Sequence, residues 1–473
     1  MSSREQPSRL NFTKTRGRGG RLRPDNGNRF YLHGSRGRGG GFASRPAHDL
    51  PLEPDLKEGL DTTTIIQKIP APPCPKAPEY FPIDNVKYVA SYNWVEAEKP
   101  TMVVPGSPAI WTERTVPFTL EPDAGSVYVD QNTARLSQYP MLPLFTAADA
   151  IHDQDAAPVD WPSMDVVTDR NGLRKFLRWL DPSPGRAVRD FRIDVQLVGT
   201  KTLVLSRWES PTPEVNNGRS FGHAFEAAMT CAAPDCPSSG HQRVITYDMS
   251  NMKMIVRFGV DACLPSPDSG VATTSTDDSD LTDALNRVNI QQTSAPTTTS
   301  PTINIVRAGT QVPQDALVEV VSRSVYYLDQ LDWNELYPQL ALSQTPALRM
   351  GVHERGEFKE LREWQLEGAG TRVATRQSGT QRGADVQDLS AQHRETAVQI
   401  VRLARLLQDV QKLAIARGPG PAGGFSLVCE GGKLHVYARK MDEGGDGKSL
   451  TGSCLPPEVV ARFETRTDQD LDA

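Results

Sequence analysis

Two stretches of alternating residues carry acidic side chains that could act together. In residues 253–262, Asp261 belongs to the polar set of an alternation whose other set is apolar. In residues 316–323, Glu319 and Arg323 fall in the same alternate set. Side chains two residues apart in a strand lie on one face of a sheet, so the spacing predicts two strands that each present a carboxylate.

These two carboxylates suggest a site for a hard cation. If the two strands pair, Asp261 and Glu319 converge at one edge of the sheet. Carboxylate oxygens in a groove are the ligands that Mg²⁺ and Mn²⁺ prefer. A bound ion of this kind activates water and stabilises the charge that develops on a phosphoryl group. The pattern therefore favours metal-assisted hydrolysis of a phosphate ester or anhydride.

The rest of the chain predicts a mixed α+β core that would hold these strands. Apolar residues at helical spacing predict helices over 170–180, 221–230 and 390–416, and a helix followed by a strand over 337–350. Alternation predicts strands over 191–198, 201–208, 244–247, 253–262 and 316–323, and a hairpin of 426–429 with 433–437 across Gly431-Gly432. Strands and helices do not alternate regularly, so the sequence predicts a mixed sheet flanked by helices.

Composition divides the chain of 473 residues into a core and flanking segments. Hydrophobic residues make up 38%, and Gly and Pro number 37 each, so part of the chain is expected to stay outside any core. We expect a disordered arm over 1–60, a core over 61–438 and a polar C-terminal tail over 439–473. Within the core, 265–302 and 368–385 are expected to be disordered inserts.

The N-terminal arm is strongly basic. Residues 1–48 hold ten arginines and Lys14 against Glu5 and Asp25, a net charge of +9, which leaves −15 on the rest of a chain whose total is −6. The repeat Arg-Gly-Arg-Gly-Gly brings in Arg16, Arg18, Arg36 and Arg38. Arginine contacts phosphates and stacks on bases, so the arm, which resembles the RGG segments of RNA-binding proteins, predicts RNA as a partner. The alternative is a solvated tail without a partner.

Several function classes are excluded by composition. No run of 18 apolar residues is present, so a membrane-spanning helix is not expected. The Arg-rich N-terminus lacks the apolar stretch of a secretory signal, and six scattered cysteines do not form a disulfide framework. These features predict a protein of the nucleus or cytoplasm, not a secreted one.

Five segments occur in the order of a known family. They are Leu203-Val-Leu-Ser-Arg-Trp208, Phe221-Gly-His-Ala-Phe-Glu226, Arg257-Phe-Gly-Val-Asp-Ala262, Leu317-Val-Glu-Val-Val-Ser-Arg323 and Tyr337-Pro-Gln-Leu-Ala-Leu-Ser-Gln344. Their order resembles the DXO-type decapping exoribonucleases, which are related to the PD-(D/E)XK nucleases. The likeness is closest to a fungal branch sometimes labelled prenyl diphosphate synthetase. It implies RNA 5′-end processing by a metal-dependent hydrolase of PD-(D/E)XK-like fold, with a partner in RNA decay as a further expectation.

The resemblance assigns roles to individual residues. It implies that Glu226, Asp261 and Glu319 are metal ligands and that Arg207 and Gln339 face the RNA or shape the active-site helix. Two family positions are substituted, because Gly259 stands where the family has a glutamate and Val321 where it has a lysine. We therefore expect cleavage to be reduced by a factor of about 100–1000. Arg323, one step further along the face of Glu319, is the candidate to replace the missing lysine in catalysis.

Other readings remain beside this one. The substituted positions favour, as an alternative, a pseudonuclease that binds RNA or a protein partner without cleaving.

His223 precedes Glu226 by one helical turn, but a histidine at the start of a helix is usually structural. Cys231 and Cys236 have no second pair at zinc-finger spacing, so free thiols are expected there. A prenyl diphosphate synthetase needs two Asp-rich helical motifs. Asp277-Asp-Ser-Asp280 is the only cluster of that kind, so the sequence argues against that activity.

Overall fold

The computed structural model describes residues 55–440, except 153–157, 182–187, 217, 235, 237, 266–301, 368–369 and 378–382, and residues 453–464. The basic arm and the insert expected at 265–302 lie outside the described residues, apart from the ends of these segments. None of the helices in the described part is both long and apolar enough to cross a membrane.

Strands dominate the architecture, as the alternating pattern predicts. A twelve-stranded sheet has the order β1-β23-β22-β9-β10-β8-β14-β13-β3-β4-β16, with β2 also paired to β23. Its strands are β1 Leu60–Asp61, β2 Gln67–Ile69, β3 Ile83–Val95, β4 Thr101–Pro105, β8 Val166–Asp169, β9 Phe191–Val198, β10 Thr202–Arg207, β13 His241–Met249, β14 Met252–Val260, β16 Asn304–Ala308, β22 Phe425–Glu430 and β23 Lys433–Arg439.

A second, smaller sheet of nine strands has the order β12-β5-β15-β17-β18-β19-β20-β21, with β6 paired to β19. Its strands are β5 Ile110–Trp111, β6 Phe118–Thr119, β12 Thr230–Cys231, β15 Ala262–Cys263, β17 Leu317–Ser324, β18 Ala347–Glu354, β19 Glu357–Glu367, β20 Gly370–Gln377 and β21 Gly383–Asp388. The short strands β7 Ser126–Val127 and β11 Glu214–Val215 form a separate pair.

Helices pack on both faces of the large sheet and on the small sheet. They are α1 Gln131–Arg135, α2 Leu142–His152, α3 Arg170–Leu180, α4 Gly222–Ala228, α5 Trp333–Ser343, α6 Ser390–Arg417 and α7 Pro457–Val460. Short 3₁₀ turns lie at Trp161–Ser163, Gln314–Ala316, Val325–Gln330, Pro421–Gly423 and Ala461–Phe463. This mixed-sheet, helix-flanked arrangement is the α+β fold that the sequence predicts.

Alternation along the central strands explains why the large sheet is buried on both sides. In β13, Ile245, Tyr247 and Met249 join the apolar cluster that α3 and α6 cover. Val244 points the other way and packs in the cluster that contains α2 and residues 454–463. The stripe of α6 that the sequence predicts, which includes Leu403 and Leu407, is buried in the first cluster.

The structure corrects three expectations. Residues 370–377 and 383–388 form antiparallel strands β20 and β21, so a disordered insert over 368–385 is wrong there, because this segment extends a sheet already in place. The predicted polar tail over 439–473 is in part packed on the core, since Leu455 and Phe463 are buried. Strand β14 does not pair with β17, because the chain passes from the large sheet to the small one at Asp261.

Candidate active site

The three acids singled out by the sequence sit on three different elements. Glu226 is in helix α4, Asp261 links β14 to β15, and Glu319 is the third residue of β17. Strand β15 pairs antiparallel with β17, with Ala262 opposite Val318, which sets Asp261 beside Glu319. The backbone N–H of Val320 donates a hydrogen bond of 2.9 Å to Asp261 Oδ2. The convergence that the alternation predicts is therefore produced by β15, not by β14.

Helix α4 is held against the small sheet by its aromatic residue. Phe225 is fully buried, and its ring stacks on Phe358 with 4.9 Å between the ring centroids. A Cβ atom at Gly351 in β18 would come within 2.3 Å of the Phe225 ring, so only glycine allows this close approach. Since Glu226 follows Phe225 directly, this packing fixes the position of its carboxylate.

The acids influence one another strongly. Burial raises the pKa of Asp261 well above its ordinary value, and the negative charge of Glu319 raises it further. Burial also raises the pKa of Glu226, and the carboxylates of Asp261 and Glu319 add to that effect. Asp261 and Glu319 are almost fully buried, whereas Glu226 keeps partial solvent exposure. Buried like charges of this kind are typical of functional sites.

Arg170 is the residue of this site that the sequence analysis missed. Its guanidinium Nη1 donates to Glu319 Oε2 at 3.0 Å and to the Ser343 hydroxyl at 3.3 Å. Its positive charge lowers the pKa of Asp261, which opposes the effects of burial and of Glu319. The amphipathic pattern of α3 predicts only which of its residues are apolar and buried. The one sequence feature that could have indicated Arg170 is its position directly after the N-cap residue Asp169.

Gln339 contacts one of the three acids. It is fully buried in α5, and its side-chain amide donates to Glu319 Oε1. Both carboxylate oxygens of Glu319 therefore have protein donors. In the described part of the chain, no three His, Cys, Asp or Glu side chains are arranged as a ready-made metal site.

The donor chemistry nevertheless fits a hard divalent cation. The three carboxylates carry more negative charge than Arg170 offsets, and the raised pKa values of Glu226 and Asp261 express that excess. Oxygen donors of this type suit Mg²⁺ or Mn²⁺. Each Glu319 oxygen accepts one protein hydrogen bond and keeps a second lone pair that could face an ion.

The two substituted positions lie in different surroundings. Gly259 lines a polar cavity of about 40 Å³ together with Arg170, Arg207 and Arg257. Val321 is partly buried and packs against the apolar cluster that contains Leu340. Neither position supplies a polar side chain to the acids.

Arg207 lies in that cavity but is held by acids. Its guanidinium is 3.0 Å from Glu209, 3.4 Å from Asp130 and 3.6 Å from Asp169. Burial works against the charge of Arg207, but these three carboxylates raise its pKa above the ordinary value. The same charge lowers the pKa of Asp130 and of Glu209, although burial alone would raise both.

Arg323 lies in β17 beyond Glu319 and is partly buried. Its role as a catalytic replacement stays a prediction, as does RNA contact by Arg207 and Gln339. The arm residues Arg16, Arg18, Arg36 and Arg38 fall outside the described residues.

A carboxylate and an imidazole meet at the start of α4. Asp123 accepts a hydrogen bond of 2.9 Å from the backbone N–H of Ala224, and its Oδ2 lies 3.6 Å from Nδ1 of His223. The Asp123 side chain is 1% exposed and that of His223 is 12% exposed. The sequence pattern did not point to Asp123, because it is remote from His223 along the chain.

A family model described as "Domain of unknown function (DUF8563)" matches residues 81–395. No curated protein matches the chain in sequence.

Several solved structures are similar to the chain in fold, among them the following three. Rai1 of S. pombe in complex with 3'-FADP is 12% identical, with 78% of this chain and 97% of that one covered and a TM-score of 0.43. Rai1 of Candida albicans in complex with pU5-Mn²⁺ is 9% identical, with 83% and 98% covered and a TM-score of 0.45. Dxo1 of K. lactis in complex with manganese is 9% identical, with 80% and 93% covered and a TM-score of 0.39.

Proposed function

The chain belongs to the family described as "Domain of unknown function (DUF8563)", whose model covers more than half of it, and we propose that it hydrolyses phosphodiester or phosphoanhydride bonds at RNA 5′ ends with a divalent cation. The observation that carries the proposal is the excess of negative charge shared by Glu226, Asp261 and Glu319. Acidic neighbours from distant parts of the chain raise the pKa values of Glu226 and Asp261 only if the carboxylates lie close together.

The order of the sequence motifs supports the choice of reaction. The same three acids match, in order, the metal ligands of the DXO-type decapping exoribonucleases. Carboxylate clusters of this kind serve phosphoryl-transfer chemistry in which little besides positioning and charge stabilisation is required.

Each residue has a distinct task in the proposed site. Glu226, Asp261 and Glu319 would hold Mg²⁺ or Mn²⁺, which when bound activates water and neutralises charge on the phosphoryl group. Arg170 and Gln339 orient the Glu319 carboxylate through the two hydrogen bonds described above. Arg323 would partly replace the missing lysine, and Arg207 would meet the RNA through the polar cavity that it lines.

The basic arm would add affinity that does not depend on sequence. Phosphate contacts by Arg16, Arg18, Arg36 and Arg38 release counterions, so RNA binding should weaken steeply as salt increases. Deleting residues 1–48 should flatten the plot of log affinity against log salt in a filter-binding titration. We propose a nuclear or cytoplasmic location for this activity and a protein partner in RNA decay.

One cleavage assay tests the proposal. The purified full chain is incubated with 5′-triphosphate RNA and with capped RNA, in Mn²⁺ and in EDTA. We expect slow cleavage in Mn²⁺ that EDTA, Glu319→Ala and Glu319→Gln each remove, while Glu395→Ala on the exposed side of α6 has no effect. Cleavage that persists in EDTA or in both Glu319 variants contradicts a metal-dependent reaction at this site.

Arg323→Ala tests the replacement of the lysine separately. If Arg323 supplies the missing charge, the variant abolishes the residual cleavage and leaves Mn²⁺ affinity unchanged. Unchanged cleavage rejects this role and leaves the metal site itself unaffected.

A second candidate is a pseudonuclease that binds RNA or a protein partner without cleaving. The observation that favours it is the contact of Arg170 and Gln339 with both oxygens of Glu319, together with Gly259 and Val321 at the substituted positions. RNA binding without cleavage in Mn²⁺ would support this candidate.

A further inference from the structure

The pair formed by Asp123 and His223 lies outside the set of acids proposed to hold the cation. Burial raises the pKa of Asp123, but the nearby His223 imidazole, the Ala224 backbone N–H and the Ser220 hydroxyl lower it far below the ordinary value. Asp123 is therefore a carboxylate anion at neutral pH. It is anchored to helix α4 by the hydrogen bond from Ala224.

This pair stands next to Glu226. His223 and Glu226 are three residues apart in α4, and side chains at that spacing occupy one face of a helix about 5–6 Å apart. The charge of Asp123 also raises the pKa of Glu226, so the Asp123 carboxylate lies near Glu226 independently of the helix geometry. His223 is thus a partly exposed imidazole beside the place where water and phosphate would meet.

We propose that His223 is the general base of the hydrolysis and that Asp123 is its positioning residue. This inference rests on the proposed function. With Nδ1 directed at Asp123, the second ring nitrogen, Nε2, is turned away from that carboxylate. A carboxylate at Nδ1 fixes the tautomer that has its lone pair on Nε2 and stabilises the imidazolium once it forms.

The proton and electron balance of the step is complete with water alone. Nε2 takes a proton from the attacking water while the water oxygen bonds to phosphorus. The bond between phosphorus and the leaving oxygen breaks, and its electron pair stays on that oxygen. A leaving phosphate departs as the anion, a leaving ribose oxygen takes a proton from solvent, and the imidazolium returns its proton to solvent.

The separation of 3.6 Å between Asp123 Oδ2 and His223 Nδ1 is compatible with this role. Catalytic hydrogen bonds are often long without substrate and shorten when it binds. His223 also takes over a task that the substitutions leave open, because neither Gly259 nor Val321 can orient or deprotonate water.

The titratable groups around the pair define the expected pH dependence. They are Asp123 before α4, Glu226 in α4, and His353 in β18, whose ring lies 4.7 Å from that of Phe221 and whose pKa burial lowers. A general base acts in its unprotonated form, so kcat/KM of the wild type should rise with pH.

The test compares His223→Gln, His223→Ala and Asp123→Asn with the wild-type chain in Mn²⁺. We expect His223→Gln to lower kcat by a factor of about 100 or more with little change in KM, and to remove the rising limb of the pH profile. Soluble imidazole should restore activity to His223→Ala. Asp123→Asn should lower kcat by a smaller factor with KM unchanged, and His435→Gln, partly buried in β23, serves as the control.

The outcomes separate this inference from the proposed function. If the wild type cleaves and His223→Gln keeps both its kcat and its pH limb, the general-base role is overturned and the metal-dependent hydrolysis stands. If imidazole restores nothing and the His223 variants unfold at lower temperature, the histidine is structural and the role is also overturned. If the wild type does not cleave in Mn²⁺, both proposals fall together.

Discussion

Two buried groups of charges in this protein are built on opposite principles. Around Arg207, the carboxylates of Asp130, Asp169 and Glu209 each face a guanidinium. Around Glu226, carboxylates face other carboxylates, and Arg170 offsets only part of their charge. Burial opposes ionisation in both places, yet the pKa of Asp130 is lowered and the pKa of Asp261 is raised.

The difference lies in the charge balance of the two groups. The guanidinium of Arg207 offsets the acids around it and joins the segments that carry them. Leaving Glu226 and Asp261 without balancing partners destabilises the folded state, and such a cost is typical of a binding or catalytic site. We refer to the first group as the Arg207 network and to the second as the acid cluster.

The largest expected effect is the loss of stability when a substitution breaks the Arg207 network. Arg207→Ala leaves Asp130, Asp169 and Glu209 buried without their shared partner, so the free energy of unfolding should fall by about 3–5 kcal/mol. Urea denaturation at pH 7 measures this change. Lys412→Ala, which removes an exposed ion pair with Asp409, should change stability by less than about 1 kcal/mol. A similarly small effect of Arg207→Ala would mean that the network is not structural.

The next largest effect is the gain in cleavage when two substitutions complete the acid cluster. Gly259→Glu with Val321→Lys restores the carboxylate and the amine that the resemblance expects, and cleavage in Mn²⁺ should increase by a factor of about 100–1000. The glutamate would enter the polar cavity beside Arg257. Single-turnover cleavage of 5′-triphosphate RNA measures the change, and adding Glu319→Ala to the double variant should remove it. A double variant that folds but cleaves no faster would place the chemistry elsewhere.

A smaller effect distinguishes the two groups by metal binding. Mn²⁺ at 100 times its dissociation constant should stabilise the chain by about 2.7 kcal/mol, measured as a rise of the unfolding temperature relative to EDTA. Glu226→Gln should remove this gain because it removes a proposed ligand. Glu209→Gln, in the Arg207 network, should keep it. Equal gains in both variants would argue against Mn²⁺ at the acid cluster.

The smallest effect is the pH dependence of stability in EDTA. The folded-state pKa of Glu226 lies above its ordinary value of 4.5, so the folded state binds more protons and stability falls as pH rises through and above that value. Glu226→Gln should flatten this decline, with a change of about 1 kcal/mol. Asp130 has a lowered pKa, so the stability it adds is present above 3.8 and is lost as pH falls. Denaturation midpoints between pH 4 and 8 measure the first slope, and a rising slope would contradict it.

Local patterns predicted the elements that have a regular apolar face. Helix α3 spans the predicted 170–180, and strands β9 and β10 match the predicted 191–198 and 201–208, because each buries such a face. Strands β20 and β21 escaped prediction because Gly and polar residues dominate them and their pairing comes from neighbouring strands. The burial of residues 454–463 was also missed, since it depends on a surface formed far away in sequence.

The residues of the candidate site also divide into those that were predicted from the sequence and those that were not. Glu226, Asp261, Glu319 and Gln339 were predicted from motif order, and the structure brings these residues together. Arg170 and Asp123 were not found, because an arginine at a helix start or an aspartate in a loop has no local signal for its partner. Arg207 carried a visible motif, but only the structure places three acids around it.

The sequence by itself determined the α+β character, the positions of elements such as α3, β9 and α6, and the choice of Asp261 and Glu319 as candidate carboxylates, because periodicity and residue type are local properties. Glu226 was named only by the family resemblance. Only the tertiary structure decided which acids receive a guanidinium and which are left facing one another. Coulomb energy depends on the distance between groups and on the surrounding medium. Both are fixed only after remote segments such as α3, β15 and β17 pack together.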